Sequence, residues 1–151
     1  MTFDLTKLLN KLILEKYGLE KELDILGFSM GGIIGRYWIK KFNGYKRTSR
    51  FITVGSPHKG TLASQLVPNY PFKGISEMKI NSLFLRQISK YDYLFTEIDC
   101  ISFFTYWDLM VFPGWRANLN SGEKISLKVF KHKNLVRNPE AVKRIIERLI
   151  C

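Results

Sequence analysis

The 151-residue sequence predicts an α/β fold, in which a parallel sheet carries helices on both faces. Segments of strand length alternate along the chain with segments of helical periodicity, which is the pattern of successive β–α units. Hydrophobic residues make up 46% of the chain and charged residues 25%, a balance typical of a packed domain. No linker divides the sequence, so we expect residues 1–151 to form a single domain.

The first half of the chain predicts two helices, each followed by a strand. Apolar residues recur at intervals of three and four over residues 2–17, where Gly18 ends the pattern, and again over residues 33–42. Short segments rich in apolar side chains follow at residues 23–28 and 50–55. We expect both of these segments to be buried strands.

The second half predicts two further strands and a terminal helix. Residues 98–107 are rich in β-branched and aromatic side chains, and residues 124–131 alternate between apolar and polar types. Asn138 followed by Pro139 is typical of the start of a helix. The predicted core face of this last helix contains Val142, Ile145, Ile146 and Leu149.

A candidate nucleophile stands between the first predicted strand and the second predicted helix. Gly27-Phe28-Ser29-Met30-Gly31 fits the pattern G-x-S-x-G, which requires a sharp strand-to-helix turn with small residues beside a strained serine. At the start of a helix the dipole favours a developing anion, and the Met30 N–H is the natural first donor to it. Ser29 is the candidate nucleophile; the alternative is an ordinary serine in a glycine-rich turn.

A serine nucleophile needs a base and an acid, and the chain has only two histidines. His58 and His132 both follow predicted strands at the carboxyl edge of the sheet, where such sheets place their sites. In this fold type the histidine comes after the acid, which favours His132 as the base and leaves His58 as a loop residue. Asp108 is the candidate acid, because Asp99 lies at the opposite end of the third strand and Asp92 in the preceding connection.

Several segments, in chain order, resemble the α/β-hydrolase-fold lipases. Residues 23–32, Leu-Asp-Ile-Leu-Gly-Phe-Ser-Met-Gly-Gly, are similar to the nucleophile elbow of that family, whose usual form is G-H-S-M-G-G. Residues 55–61 resemble the loop after the next strand, and residues 77–85 resemble the segment before the cap helix of triacylglycerol lipases. Asp108 and the run His132-Lys133-Asn134-Leu135 match the acid and base positions of the family.

The resemblance implies a serine lipase or esterase that cleaves carboxylic esters, with acylglycerols or other lipid-like esters as expected substrates. In such an enzyme Ser29 attacks the carbonyl, His132 transfers the proton and Asp108 orients His132, without a metal or a cofactor. Acyl transfer or amide hydrolysis on the same triad stays open as an alternative.

The region of residues 61–97 is expected to form a short cap or lid. Residues 62–72 are apolar and aromatic, which suits a lid over an acyl pocket and equally suits an ordinary packed connection. A short helix is predicted around residues 83–88.

One part of the family pattern is missing from this sequence. Family members carry an upstream strand that ends in a His-Gly loop and supplies the second oxyanion N–H, whereas this sequence begins with the helix before the elbow. We therefore expect an N-terminally incomplete hydrolase domain that depends on a preceding segment or a partner. The alternative is a catalytically impaired fragment or a binding module.

The net charge of +11 favours anionic surroundings. Its densest run lies at a helix end and the following turn, where cations complement the helix dipole. Aromatic residues do not interleave with these charges as in a base-stacking platform, so no nucleic-acid partner is expected. Weak attraction to an anionic lipid surface is the other expectation. The run consists of Lys40, Lys41, Lys46, Arg47 and Arg50.

The cysteines and the N-terminus indicate a cytoplasmic protein. Cys100 and Cys151 lack the spacing of a metal site and are expected to be free thiols. Asp4 and Lys7 interrupt the first apolar segment, which excludes a signal peptide. No segment reaches the ~18 apolar residues of a membrane span.

Overall fold

A computed structural model describes residues 1–66 and 73–150. The helices are α1 (Thr2–Tyr17), α2 (Met30–Lys41), α3 (Lys73–Glu77), α4 (Leu83–Ser89) and α5 (Pro139–Ile150). The strands are β1 (Leu23–Phe28), β2 (Thr48–Val54), β3 (Asp99–Phe104) and β4 (Glu123–Ser126). All pairings are parallel and follow the order β1-β2-β3-β4, so every strand lies beside the next one in the chain. The predicted α/β architecture is confirmed.

Helices cover both faces of this sheet. Successive side chains of each strand point to opposite sides, so neighbouring apolar residues of β2 contribute to different faces. Ile52 packs in a cluster with Ala141 and Ile145 of α5. Phe51, the preceding residue of β2, packs in a second cluster with side chains of α1 and α2. The second cluster contains Ile13, Trp38, Ile39, Phe51, Phe95, Ile98, Cys100 and Leu119.

The fourth strand is shorter than predicted. The Leu127 N–H still donates to the Phe104 carbonyl at 2.7 Å, but the Val129 N–H turns back to the Leu127 carbonyl at 2.9 Å. Since β3 ends at Phe104, the described chain beyond Leu127 has no further ladder partner on β3. The prediction of a strand over residues 124–131 is therefore wrong for its second half.

The start of α5 is as predicted, and its core face is rotated. The Asn138 Oδ1 accepts the Ala141 N–H at 3.1 Å, which caps the helix. Ala141 and Ile145 are buried, whereas Ile146 is 47% exposed. The prediction of Ile146 as a core residue is wrong, because the buried stripe runs through positions 141, 145 and 149 at intervals of four.

The predicted cap region contains α3 and α4 in its described part. The Ser82 Oγ accepts the Leu85 N–H at 3.2 Å and caps α4. Residues 67–72, which belong to the apolar segment 62–72 of the predicted lid, lie outside the described residues.

Over residues 1–66 and 73–150, no helix has both the length and the apolar character needed to cross a bilayer.

Candidate active site

Ser29 occupies the turn between β1 and α2 in a conformation that side chains rarely adopt. Its backbone has φ 52° and ψ −124°, and its N–H donates to the Val54 carbonyl at 2.8 Å. A non-glycine residue at such a φ costs about 1–3 kcal/mol and persists only where its surroundings impose it. The bond to β2 and the start of α2 impose it here. The predicted strained elbow is therefore present in the backbone.

Two glycines make the tight packing of this turn possible. A Cβ on Gly27 would lie 2.5 Å from Gly32 Cα, and a Cβ on Gly32 would lie 2.0 Å from Ser56 Oγ. A Cβ on Gly31 would meet nothing within 4 Å. The small residue that the elbow needs on its helical side is thus Gly32, which the G-x-S-x-G pattern does not include.

Asp108 and His132 are in direct contact. The His132 Nδ1 lies 2.6 Å from the Asp108 Oδ2, and both side chains are buried. The other carboxylate oxygen, Oδ1, accepts the N–H groups of Met110 at 2.9 Å and Val111 at 3.0 Å. These two bonds stabilise the ionised carboxylate and fix its orientation toward the imidazole.

The imidazole of His132 is also held on its sides. The ring of Phe28 stacks on it, with 4.9 Å between the ring centroids. Gly55, at φ 57°, comes so close that an added Cβ would lie 3.0 Å from the His132 Cε1 and 2.7 Å from the Leu135 Cδ1. Gly55 therefore has to be glycine both for its backbone conformation and for the space that His132 and Leu135 occupy.

The three predicted catalytic residues lie at the carboxyl ends of their strands. Ser29 directly follows β1, while Asp108 and His132 follow β3 and β4 at short distances along the chain. Phe28, the neighbour of Ser29, touches His132. The Ser29 Oγ itself makes no hydrogen bond to another described residue. The serine–histidine hydrogen bond of a triad is often loose before substrate binds.

Met30 is the first residue of α2, so its N–H has no acceptor within the helix. This N–H stands at the positive end of the helix dipole, directly after Ser29. Its position suits the predicted role as an oxyanion donor.

The alternative base and acids occupy structural positions. Asp99 begins β3 and pairs with Arg50 at 3.0 Å, while Asp92 pairs with the buried Arg36 at 2.5 Å. His58 is 2% exposed, and both of its ring nitrogens lack a hydrogen-bond partner among the described residues. Burial lowers the pKa of His58 well below its usual range, and the charges of Arg36 and Lys59 lower it further.

No group of three or more His, Cys, Asp or Glu side chains in the described part of the chain is arranged to hold a metal ion. Cys100 is buried and has no disulfide partner among the described residues, and Cys151 lies outside them.

Solved structures with a similar backbone include lipases and carboxylesterases, all at low sequence identity to this chain. The mature lipase BlEst2 of Bacillus licheniformis superposes with a TM-score of 0.72 at 14% identity, covering 96% of this chain and 71% of the lipase. A lipase-esterase related protein of Clostridium acetobutylicum superposes with a TM-score of 0.64 at 14% identity, covering 98% of this chain and 75% of that protein. The lin2722 gene product of Listeria innocua superposes with a TM-score of 0.64 at 15% identity, covering 96% of this chain and 65% of that protein. The chain thus spans between about two thirds and three quarters of these structures.

The sequence also matches a known family directly. The palmitoyl protein thioesterase family matches residues 2–107, which include α1, the elbow and the first three strands. A comparison with curated proteins gives no match. The family match covers well over half of the sequence, and the backbone agrees with it. The chain belongs to the palmitoyl protein thioesterase family and has the α/β-hydrolase fold.

Proposed function

We propose that this chain is a serine hydrolase that cleaves lipid-like acyl esters, with Ser29, His132 and Asp108 as its triad. The observation that carries the proposal is the 2.6 Å contact between His132 Nδ1 and the anchored Asp108 carboxylate, at the sheet edge that also presents the strained Ser29. Family membership extends the expected substrates to acyl thioesters. Residues 1–151 act as one hydrolase domain in this proposal.

The geometry supports a two-step acyl transfer to water. Ser29 Oγ attacks the substrate carbonyl while His132 Nε2 takes its proton, and Asp108 stabilises the imidazolium that forms. The Met30 N–H donates to the oxyanion of the tetrahedral intermediate. His132 then protonates the leaving alcohol or thiol, and water cleaves the acyl-enzyme by the same sequence of proton transfers.

Exposed apolar side chains beside the triad favour a hydrophobic acyl group. Trp107 precedes Asp108 and Phe130 lies two residues before His132, and their rings are 6.2 Å apart. Trp107 is 65% exposed and Phe130 71% exposed. Large apolar groups left in water next to a reactive centre offer a surface for an acyl chain. The exposed set is Trp107, Leu109, Met110, Phe112 and Phe130.

The test is covalent labelling of the purified chain with a fluorophosphonate, followed by intact-mass measurement. We expect one adduct on the wild type and none on Ser29→Ala. Ser49→Ala is the matched control, because Ser49 is an exposed serine on β2 whose hydroxyl donates to the Glu22 carboxylate at 3.3 Å. An adduct that persists in Ser29→Ala would disprove the proposed nucleophile.

A binding module without turnover is the second candidate, and one observation favours it. β1 is an edge strand of the described sheet, so no described strand on its outer side supplies a second oxyanion donor. Loss of one such donor typically lowers the rate by ~10²–10³-fold. The binding module would be favoured by two results together. The first is rapid labelling of Ser29. The second is turnover of both p-nitrophenyl octanoate and palmitoyl thioesters that is lower than the loss of one oxyanion donor explains.

A further inference from the structure

A cleft of about 570 Å³ between α4 and the loop after β2 is lined by cations. Lys59 comes from that loop, Arg86 and Lys90 from α4 and its end, and Arg116 from the turn before β4. His58 also contributes to the lining. No Asp or Glu lines the described part of this cleft. The charged residues that line this concave surface therefore all carry the same sign.

The positive surface continues into a second cleft of about 500 Å³, which shares Lys90 with the first. There the Lys40 Nζ lies 3.6 Å from the centre of the Tyr91 ring and donates to the Gln87 carbonyl at 2.5 Å. We call the combined set the basic face. It consists of Lys40, Lys41, Lys59, Arg86, Lys90 and Arg116.

The basic face is not neutralised from within the described residues. None of its six cations forms an ion pair there. Asp92, whose charge acts on Lys40 and Lys59, is already paired with Arg36 at 2.5 Å and accepts an N–H of Asn120 at 3.0 Å. The cations therefore lack a compensating anion.

Burial and neighbouring positive charges both lower the pKa values of two lysines of the basic face. Burial, followed by the charges of Arg36 and Lys41, lowers the pKa of Lys40 to about 8. Burial, followed by Lys124 and Arg116, lowers the pKa of Lys59. A bound anion would relieve this repulsion, because an opposite charge stabilises the protonated amines.

His58 supplies a second, independent observation. Its imidazole is almost completely buried, and neither ring nitrogen has a hydrogen-bond partner within residues 1–66 and 73–150. A neutral imidazole carries one N–H donor, and buried donors in folded proteins almost always find an acceptor. His58, whose imidazole has this unpartnered donor, is one of the residues that line the cleft.

We propose that this cleft binds the phosphate group of a ligand, at a site separate from the triad. The Arg86 guanidinium can meet the oxygens of a phosphate in paired hydrogen bonds. The Arg116 guanidinium already donates from Nε to the Gly60 carbonyl at 3.0 Å and from Nη2 to the Lys59 carbonyl, so it adds mainly charge, as the two ammonium groups do. The volume leaves room for more than the phosphate itself. A phospholipid headgroup and a soluble phosphate ester share this chemistry, and two measurements distinguish them.

The first measurement is calorimetric titration of the full chain with inorganic phosphate. We expect Arg86→Gln/Lys90→Gln to weaken binding by at least about tenfold, since each phosphate contact contributes to a charge-assisted site. The matched control is Arg137→Gln/Lys143→Gln, which removes the same two charges from exposed positions elsewhere. This control should bind phosphate within about twofold of the wild type. If circular dichroism shows that the double variant is misfolded, Lys59→Gln provides a second variant within the cleft.

The second measurement is co-sedimentation with vesicles of phosphatidylcholine, with and without phosphatidic acid, at 150 mM salt. Binding to the anionic vesicles that is lost only in the cleft variants identifies a lipid headgroup. Binding of inorganic phosphate alone, lost in the same variants, identifies a soluble phosphate ester. The absence of both, or an equal loss in the Arg137/Lys143 control, overturns the proposal, because diffuse charge would then explain all attraction.

Discussion

The ring of Phe28 lies against the imidazole of His132, with 4.9 Å between ring centroids and 29° between ring planes. On its Nδ1 edge the same imidazole contacts the Asp108 carboxylate at 2.6 Å. His132 is thus held by an aromatic face and by a charge. An aromatic face also attracts a cation, so Phe28 stabilises the imidazolium that forms during the proposed reaction.

Replacing Phe28 with leucine should therefore lower kcat. A partly buried cation–π contact contributes roughly 1–2 kcal/mol, so we expect a decrease of about 5- to 30-fold with little change in KM. Phe28→Tyr keeps the ring and should restore most of the activity. Steady-state kinetics on an acyl ester give both constants. If Phe28→Tyr is as impaired as Phe28→Leu, stacking is not what matters.

Replacing Asp108 with asparagine should abolish most of the activity while leaving the loop folded. The amide oxygen can still accept the Met110 and Val111 N–H groups, but the negative charge beside His132 is lost. In triads of this kind the change lowers kcat by about 10⁴-fold. Asp99→Asn is the control at the other end of β3 and should stay within about twofold of wild type. Equal losses in the two variants would argue against Asp108 as the acid.

Two neighbouring glycines should respond to alanine with opposite signs. Gly32→Ala places a Cβ 2.0 Å from Ser56 Oγ, and such overpacking costs about 1–3 kcal/mol. Gly31→Ala meets open space within α2 and should stabilise the fold by about 0.5–1 kcal/mol through helix propensity. The free energy of unfolding in urea measures both. A stable Gly32→Ala variant would contradict the close approach of the elbow to the loop after β2.

The stability of the fold should depend on Lys40 above pH 8. The folded chain releases the Lys40 proton at a pKa of about 8, whereas the unfolded chain holds it to about 10.5. The unfolded state therefore binds more protons between these values, and the contribution of Lys40 to stability rises with pH. We expect the free energy of unfolding of Lys40→Met, relative to that of the wild type, to be higher at pH 7 than at pH 10. Urea unfolding at the two pH values measures the difference; a constant difference would exclude a lowered pKa.

Local signals in the sequence were sufficient to predict most helices and strands and the turn that contains Ser29. The strand at residues 23–28, the serine after it and the helix start at Asn138 depend on residues close in the chain, and the structure places all three as predicted. It also brings Asp108 to His132, as the order of strands and loops predicts.

Features that depend on distant partners were not predictable in this way. The end of β4 is set by the end of β3, and the need for Gly32 is set by Ser56 on another loop. The basic cleft draws its cations from positions 59, 86, 90 and 116, which no sequence window contains. Only the packing of α4 against the loop after β2 brings them together.

The backbone of Ser29 reveals a conflict between activity and stability. Glycine adopts a φ of 52° without steric cost, so a glycine at position 29 would relieve most of the ~1–3 kcal/mol of strain, less a smaller loss of chain entropy. A protein that only bound its ligand would be more stable with that residue. A serine hydroxyl at the most strained backbone position of the turn is expected of an enzyme in which reactivity is retained at the expense of stability.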